Sequence, residues 1–182
     1  MTYADMIDAE LGQIRPVDLL EFDHLTRARD WVRSGAVLCR IAPPATPPMH
    51  LVSYFPVIDQ EYVLLGDHIS SGLWLPPGGH VETGEDPRDT VIRECAEELR
   101  MSARFVHPGP VFLTIAKTIG ANPHEDVSLW YTLQGQAGLV PDYDRREYRR
   151  MRWFHFDDVP LDDTDPNLER FLGKLSERFV AA

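Results

Sequence analysis

The stretch from Pro87 to Arg100 leaves this chain less conformational choice than any other. Asp86 supplies a helix N-cap, Pro87 suits the first helical position because it has no N–H to satisfy, and no glycine or proline follows within the run. Just upstream, Pro76-Pro77-Gly78-Gly79 stops the short apolar run Gly72 to Leu75. At about 100° per residue, Glu94, Glu97 and Glu98 fall within an arc of roughly 100°, while Val91, Ile92, Cys95, Ala96 and Leu99 lie opposite. One face is expected to be core and the other a carboxylate cluster.

Like charges three and four apart cost a helix roughly 0.2 to 0.5 kcal/mol per pair, a penalty that a hard divalent cation among the carboxylates removes. An ordinary acidic solvent face would have the same spacing. The loop before the helix weighs toward chemistry. Gly78-Gly79 lets the backbone turn tightly and approach an ion or phosphate, and Glu85 adds a fourth carboxylate. Arg93 lies beside the cluster, where paired hydrogen bonds can hold one glutamate in a fixed orientation.

Gly79, five residues, Glu85, seven residues, then Arg93-Glu94-Cys95-Ala96-Glu97-Glu98 resembles the signature of the Nudix hydrolase superfamily, the MutT-like proteins, written Gx5Ex7REUxEExGU with U a bulky aliphatic residue. The lead-in Leu73 to Glu82 is similar to the strand and loop before that box. Two positions depart: Cys95 replaces an aliphatic residue, and Arg100 stands where the family has a helix-ending glycine, which implies a different helix exit here. The resemblance implies an α/β/α sandwich with a mixed β-sheet and a hydrolase that cleaves a diphosphate linkage in a nucleoside diphosphate derivative or a related organic pyrophosphate. It further implies Mg2+ or Mn2+ held by Glu94, Glu97 and Glu98, with the Gly79 carbonyl as a further ligand, Arg93 orienting a catalytic glutamate and Glu85 supporting the loop. Glu147, in Asp144-Arg-Arg-Glu147, resembles the region where many members contribute another glutamate, so the general base stays open among Glu94, Glu98 and Glu147. A catalytically silent nucleotide-metabolite sensor is the alternative, although such relatives usually lose box carboxylates that this chain keeps.

Residues 1–41 read as a helical N-terminal extension, with apolar stripes interrupted at Arg15-Pro16 and a stop at Ser34-Gly35, and 49–182 as the Nudix domain. Between them, Ile41 to Pro48 carries four prolines and makes a stiff extended connector. His50 to Val57 and Glu61 to Leu65 suggest a hairpin turning at Ile58-Asp59-Gln60; Val111 to Ile115, Asp126 to Leu133 and Met151 to Phe156 suggest strands; Asn167 to Val180 suggests a closing helix. Strand alternation can send His124 and Asp126 into a cleft, whereas His50, His68, His80 and His107 show no metal-ligand spacing.

The 182 residues fit one domain, and 29 acidic against 18 basic side chains give a net charge of −11. That balance disfavours polymeric nucleic acid and anionic membrane as partners, since binding to a phosphate backbone needs clustered Lys and Arg. A small phosphorylated substrate, reached through a cation, is the expected partner, and a homodimer is compatible with the family. Cys39 and Cys95 form no CxxC pair, the N-terminus carries Asp5, Asp8 and Glu10 rather than a basic start and apolar run, and no stretch approaches the roughly 20 apolar residues of a membrane span. A cytoplasmic protein is expected.

Overall fold

The computed structural model describes residues 2–43, 46–118 and 123–180, the last four of these by backbone alone. Pro44 and Ala45 of the proline-rich connector lie outside them. Helices α1 (Tyr3–Leu11) and α2 (Leu19–Arg33) open the chain, followed by strands β1 (Met49–Tyr54), β2 (Val57–Asp59), β3 (Tyr62–His68), β4 (Trp74–Leu75) and β5 (Gly78–His80). Helix α3 (Pro87–Leu99) precedes β6 (Phe112–Lys117), β7 (Glu125–Trp130), β8 (Leu133–Gln134) and β9 (Tyr148–His155), and α4 (Leu168–Val180) closes the fold.

The expected α/β architecture is present, with the strands divided between two mixed sheets. One is four-stranded in the order β5-β1-β7-β6, with β1 and β7 parallel. The other runs β4-β3-β2-β8, with β9 also paired to β3 and with β2 and β8 parallel. Alternation sorts the side chains of the first sheet. Leu51, Leu113, Val127 and Leu129 face a core shared with Ile7, Leu11, Ala28 and Val32 of the N-terminal helices and Val91, Cys95 and Leu99 of α3. Phe112 and Trp130 face the other way, into a second core with Val63, Leu65, Phe154 and the α4 residues Leu168, Phe171 and Leu172.

Three local expectations change. The hairpin joins β2 to β3 and turns at Gln60, which takes a positive φ of 53°; β1 instead pairs with β5 and β7. On α3 the buried residues are Pro87, Thr90, Val91, Cys95 and Leu99, while Ile92 is 46% exposed and Ala96 is also exposed. With about 3.6 residues per turn, Glu94 and Glu98 fall inside the buried arc, between Thr90 and Val91, rather than opposite it. Finally, Arg100 leaves the helix in the left-handed conformation (φ 51°, ψ 30°), so the exit is the one a glycine would give and the expected difference is absent.

Candidate active site

The start of α3 is fixed by local chemistry. The Asp86 carboxylate accepts from the Arg88 N–H at 2.8 Å, capping a helix whose first residue, Pro87, lacks a donor. Beside it the Glu85 carboxylate accepts from Arg93 Nε and Nη2, both at 2.9 Å, from the Thr90 hydroxyl at 2.7 Å and from the Glu82 N–H at 3.0 Å. Burial alone would raise this carboxyl, but Arg93 and the other donors outweigh it and hold it at about 2. Arg93 also donates to Glu94 Oε1 at 2.6 Å and to the His80 carbonyl at 3.2 Å, so one guanidinium ties the loop, the β5 edge strand and the helix together.

Gly79 lies under Glu94. A Cβ at this position would stand 2.2 Å from Glu94 Oε1, so only glycine admits the carboxylate to the strand. One turn further on, Glu98 Oε2 accepts from the Tyr148 hydroxyl at 2.8 Å, and the Glu98 carbonyl accepts from the Asp144 N–H at 2.7 Å. Burial pushes the Glu98 carboxyl up to about 8 against the opposing effect of Tyr148, with Glu94 and Glu147 adding like charge; burial also raises Glu94. Tyr148 itself needs Gly66 on the neighbouring strand, where a Cβ would lie 2.2 Å from its ring. Glu97 is the outermost of the cluster, its side chain 63% exposed and 3.9 Å from Arg93. Glu147 is half exposed at the cavity rim, 3.7 Å from His68 Nε2.

These groups open onto a cavity of about 730 Å3 that wraps the β5 edge and continues under the first sheet. Its lining includes His80, His124 and Asp126, which gather with the fully buried His50 so that one ligand-capable atom of each lies within 4.8 Å of the others. Register explains the gathering. His50 on β1 pairs with Asp126 on β7, and His80 on β5 pairs with Val52, two residues along β1 from His50; side chains two apart share a face. Burial pushes His80 down to about 3, lowers His50 as well, and lifts Asp126 to about 6.

Of the sequence-derived set, Gly79, Arg93, Glu94 and Glu98 thus line the cavity, and Glu85 joins them through Arg93. Glu147 stands at the cavity mouth and Glu97 on the outer flank. The nearby arginines are engaged elsewhere: Arg146 pairs with Asp144, and Arg149 and Arg150 pair with Asp67. Tyr148, Gly66, His50 and His80 were not singled out by the pattern of residues. For the two histidines, strand pairing over a long sequence separation is the missing information; their isolated positions carry no short motif.

The box geometry and the mixed sheets around it define a class, and the sequence model of the NUDIX domain matches residues 49–175, so the chain belongs to that family. Among curated proteins it is 30% identical over 115 residues to the m7GpppN-mRNA hydrolase dcap-2 of Caenorhabditis elegans, covering 57% of this chain and 13% of that protein. It is 26% identical to the NAD-capped RNA hydrolase NudC of Pseudomonas syringae, over 63% of this chain and 38% of that one. The chain therefore spans well under half the length of these two relatives. A third, the asymmetrical bis(5'-nucleosyl)-tetraphosphatase of Sus scrofa, is 30% identical over 54% of this chain and 67% of its own length. In fold, the chain is similar to a MutT NUDIX hydrolase from Burkholderia pseudomallei, with a TM-score of 0.56 and 22% identity over 69% of this chain and 97% of that one. It is also similar to the NUDIX domain of Shewanella oneidensis NrtR complexed with ADP ribose, with a TM-score of 0.54 and 20% identity over 71% and 87%. Among the described residues no helix is long and apolar enough to cross a membrane.

Proposed function

We propose that the chain is a divalent-metal-dependent pyrophosphohydrolase acting on a nucleoside diphosphate derivative or a related organic pyrophosphate. The observation that carries this reading is the Arg93 clamp on Glu85 and Glu94, with Glu94 lying over Gly79, where a Cβ would collide with it. The donor set fits Mg2+ or Mn2+: carboxylate oxygens suit hard cations, and two of the carboxyls are raised by burial and like charge, an imbalance that a cation would relieve. Glu94, Glu97, Glu98 and the Gly79 carbonyl would hold the ion. Once bound, it would neutralise phosphate charge and polarise the bridging anhydride.

The protein's own groups supply the rest. Arg93 fixes Glu94 and the β5 edge, and Glu85 keeps Arg93 in place. Glu98, aimed by the Tyr148 hydroxyl, is one candidate to accept the proton of an attacking water. Glu147 at the rim is the other candidate for that role. The cavity volume of about 730 Å3 lies in the range of small-ligand sites, which favours a mononucleotide-sized substrate over a polymer. Residues 1–41 are proposed as an extension of this domain that helps to form its core.

Product release from a panel of nucleoside triphosphates, dinucleoside polyphosphates and nucleotide sugars, with Mg2+ or Mn2+, tests the proposal. Turnover of at least one class is expected, falling by about 100-fold or more in Glu98→Gln, the scale of a lost general base. Absence of turnover across the panel, or full activity in Glu98→Gln, contradicts it.

A further inference from the structure

The imidazole cluster of His50, His80 and His124 is not used by the reading above. It is built differently from the carboxylate box. His50 is fully buried, and its Nδ1 lies 2.8 Å from the Pro47 carbonyl, an acceptor only, so the proton of the neutral ring sits on Nδ1 and Nε2 presents a lone pair. That lone pair faces Asp126 Oδ1 at 3.4 Å without forming a hydrogen bond. His124 lies beside it: its Nδ1 contacts the Thr118 hydroxyl at 3.1 Å, and its Nε2 stands 3.3 Å from the same carboxylate oxygen. His50 Nε2, His80 Nε2 and Asp126 Oδ1 are all buried without a hydrogen-bond partner among the described residues. Three buried polar atoms left without partners in one small group are costly unless something lies between them that can satisfy them together.

We infer that His50, His80, His124 and Asp126 form a second cation site, separate from the carboxylate box, that takes a transition-metal ion of the zinc class. Ligand chemistry selects the ion. Imidazole nitrogen suits Zn2+ and its neighbours, whereas Mg2+ prefers an all-oxygen shell. Size agrees as well. A tetrahedral zinc with bonds of about 2.0–2.1 Å has ligand atoms roughly 3.3 Å apart. The two imidazole-to-carboxylate spacings, 3.4 and 3.3 Å, already match that edge, and the widest separation in the set, within 4.8 Å, would close on binding the ion. The Pro47 carbonyl and the Thr118 hydroxyl hold two of the rings by the nitrogen that would not bind the ion, which is how metal-binding histidines are usually fixed.

The ion would bridge β1, β5 and β7 and place positive charge on the cavity wall away from the box. Arg40, on the same wall, adds to that charge. The cavity would then offer an anionic substrate two cationic ends of different hardness. This inference stands whether or not the chain cleaves pyrophosphates, because its test reads metal rather than turnover.

The tag-free chain is stripped with chelator and titrated with Zn2+ in the presence of millimolar Mg2+, using a chromophoric competitor to count sites. One zinc per chain is expected. Losing even a group that only orients a ligand weakens metal sites roughly 10- to 100-fold, so Asp126→Asn and His80→Ala are each expected to weaken zinc by at least about 10-fold, with Glu97→Gln leaving it unchanged. Nitrogen-15 spectra of the histidines in the unaltered chain guard against misfolded variants: one equivalent of zinc is expected to move the Nε2 resonances of His50, His80 and His124 together. No zinc retained against Mg2+, zinc lost with Glu97→Gln but not with Asp126→Asn, or unmoved imidazole resonances would each overturn the inference. The last outcome would leave a shared proton as the group between His50 and Asp126.

Discussion

Glu98 shows how a single side chain can be costly to a fold and useful to a site. Its carboxyl is raised from 4.5 to about 8, first by burial and then by neighbouring negative charge. A group raised in the folded state contributes stability that is fully present below its unfolded value and lost as pH climbs through the folded one. In chelator, the unaltered chain should therefore lose ground to Glu98→Gln as pH rises from about 4.5 to 8, since the amide stays neutral throughout. The gap in thermal midpoint is expected to be negligible at the acid end and of the order of a few degrees at pH 8. A gap that does not change with pH would show that the carboxyl ionises freely. Glu85, a few residues away, lies at the opposite extreme, held at about 2 by Arg93 and two further donors. Two carboxylates of one motif are thus pushed apart in proton affinity by their surroundings.

At the scale of elements, α3 was legible because its signals are local: a capping Asp86, Pro87 at the first turn and a motif whose spacing survives any tertiary context. What the helix wheel misjudged was which arc is buried. Ile92 and Ala96 look like core by type, yet Glu94 and Glu98 take inward positions, Glu94 because Gly79 in the middle of the β5 edge leaves room for it and Glu98 on the hydroxyl of Tyr148. β1 was misjudged for a different reason. A hairpin is the cheapest pairing for a strand followed by a turn, but β1 pairs in parallel with β7, far along the chain, and a parallel partner leaves no local signature. The histidine cluster depends on that same pairing and was hidden with it; only the His124–Asp126 alternation hinted at a cleft. The exit of α3 offers a test of element chemistry. Arg100 holds a left-handed conformation that costs a side-chain-bearing residue roughly 1–2 kcal/mol, offset in part by the extra chain entropy that glycine brings. Arg100→Gly is expected to raise stability by about 0.5–1 kcal/mol, read as a higher urea midpoint with unchanged slope. A lower midpoint would mean that the arginine's attraction to Asp144 matters more than the backbone.

Across the whole molecule, the second and last helices are joined by charge in the interior. Lys174 on α4 donates to Glu21 on α2 at 2.5 Å with both side chains fully buried, and Arg170 pairs with Asp18 at 2.7 Å nearby. Removing one member of a buried pair leaves the other uncompensated, so Lys174→Met is expected to cost about 3–5 kcal/mol in guanidinium unfolding. Adding Glu21→Leu should recover most of that loss, since apolar replacement of both partners is often neutral. Failure of the double variant to recover would point to packing around Phe112, over whose ring the lysine lies, rather than to charge. The same pair has a consequence for synthesis. Its members are 153 residues apart, so at ordinary ribosomal speeds of about 5–20 residues per second Glu21 waits roughly 8 to 30 s for Lys174 to be made. For much of that interval α2 waits with a carboxylate meant for the interior and no cation to meet it, so a chaperone that covers α2 on the nascent chain is expected to raise the folded yield.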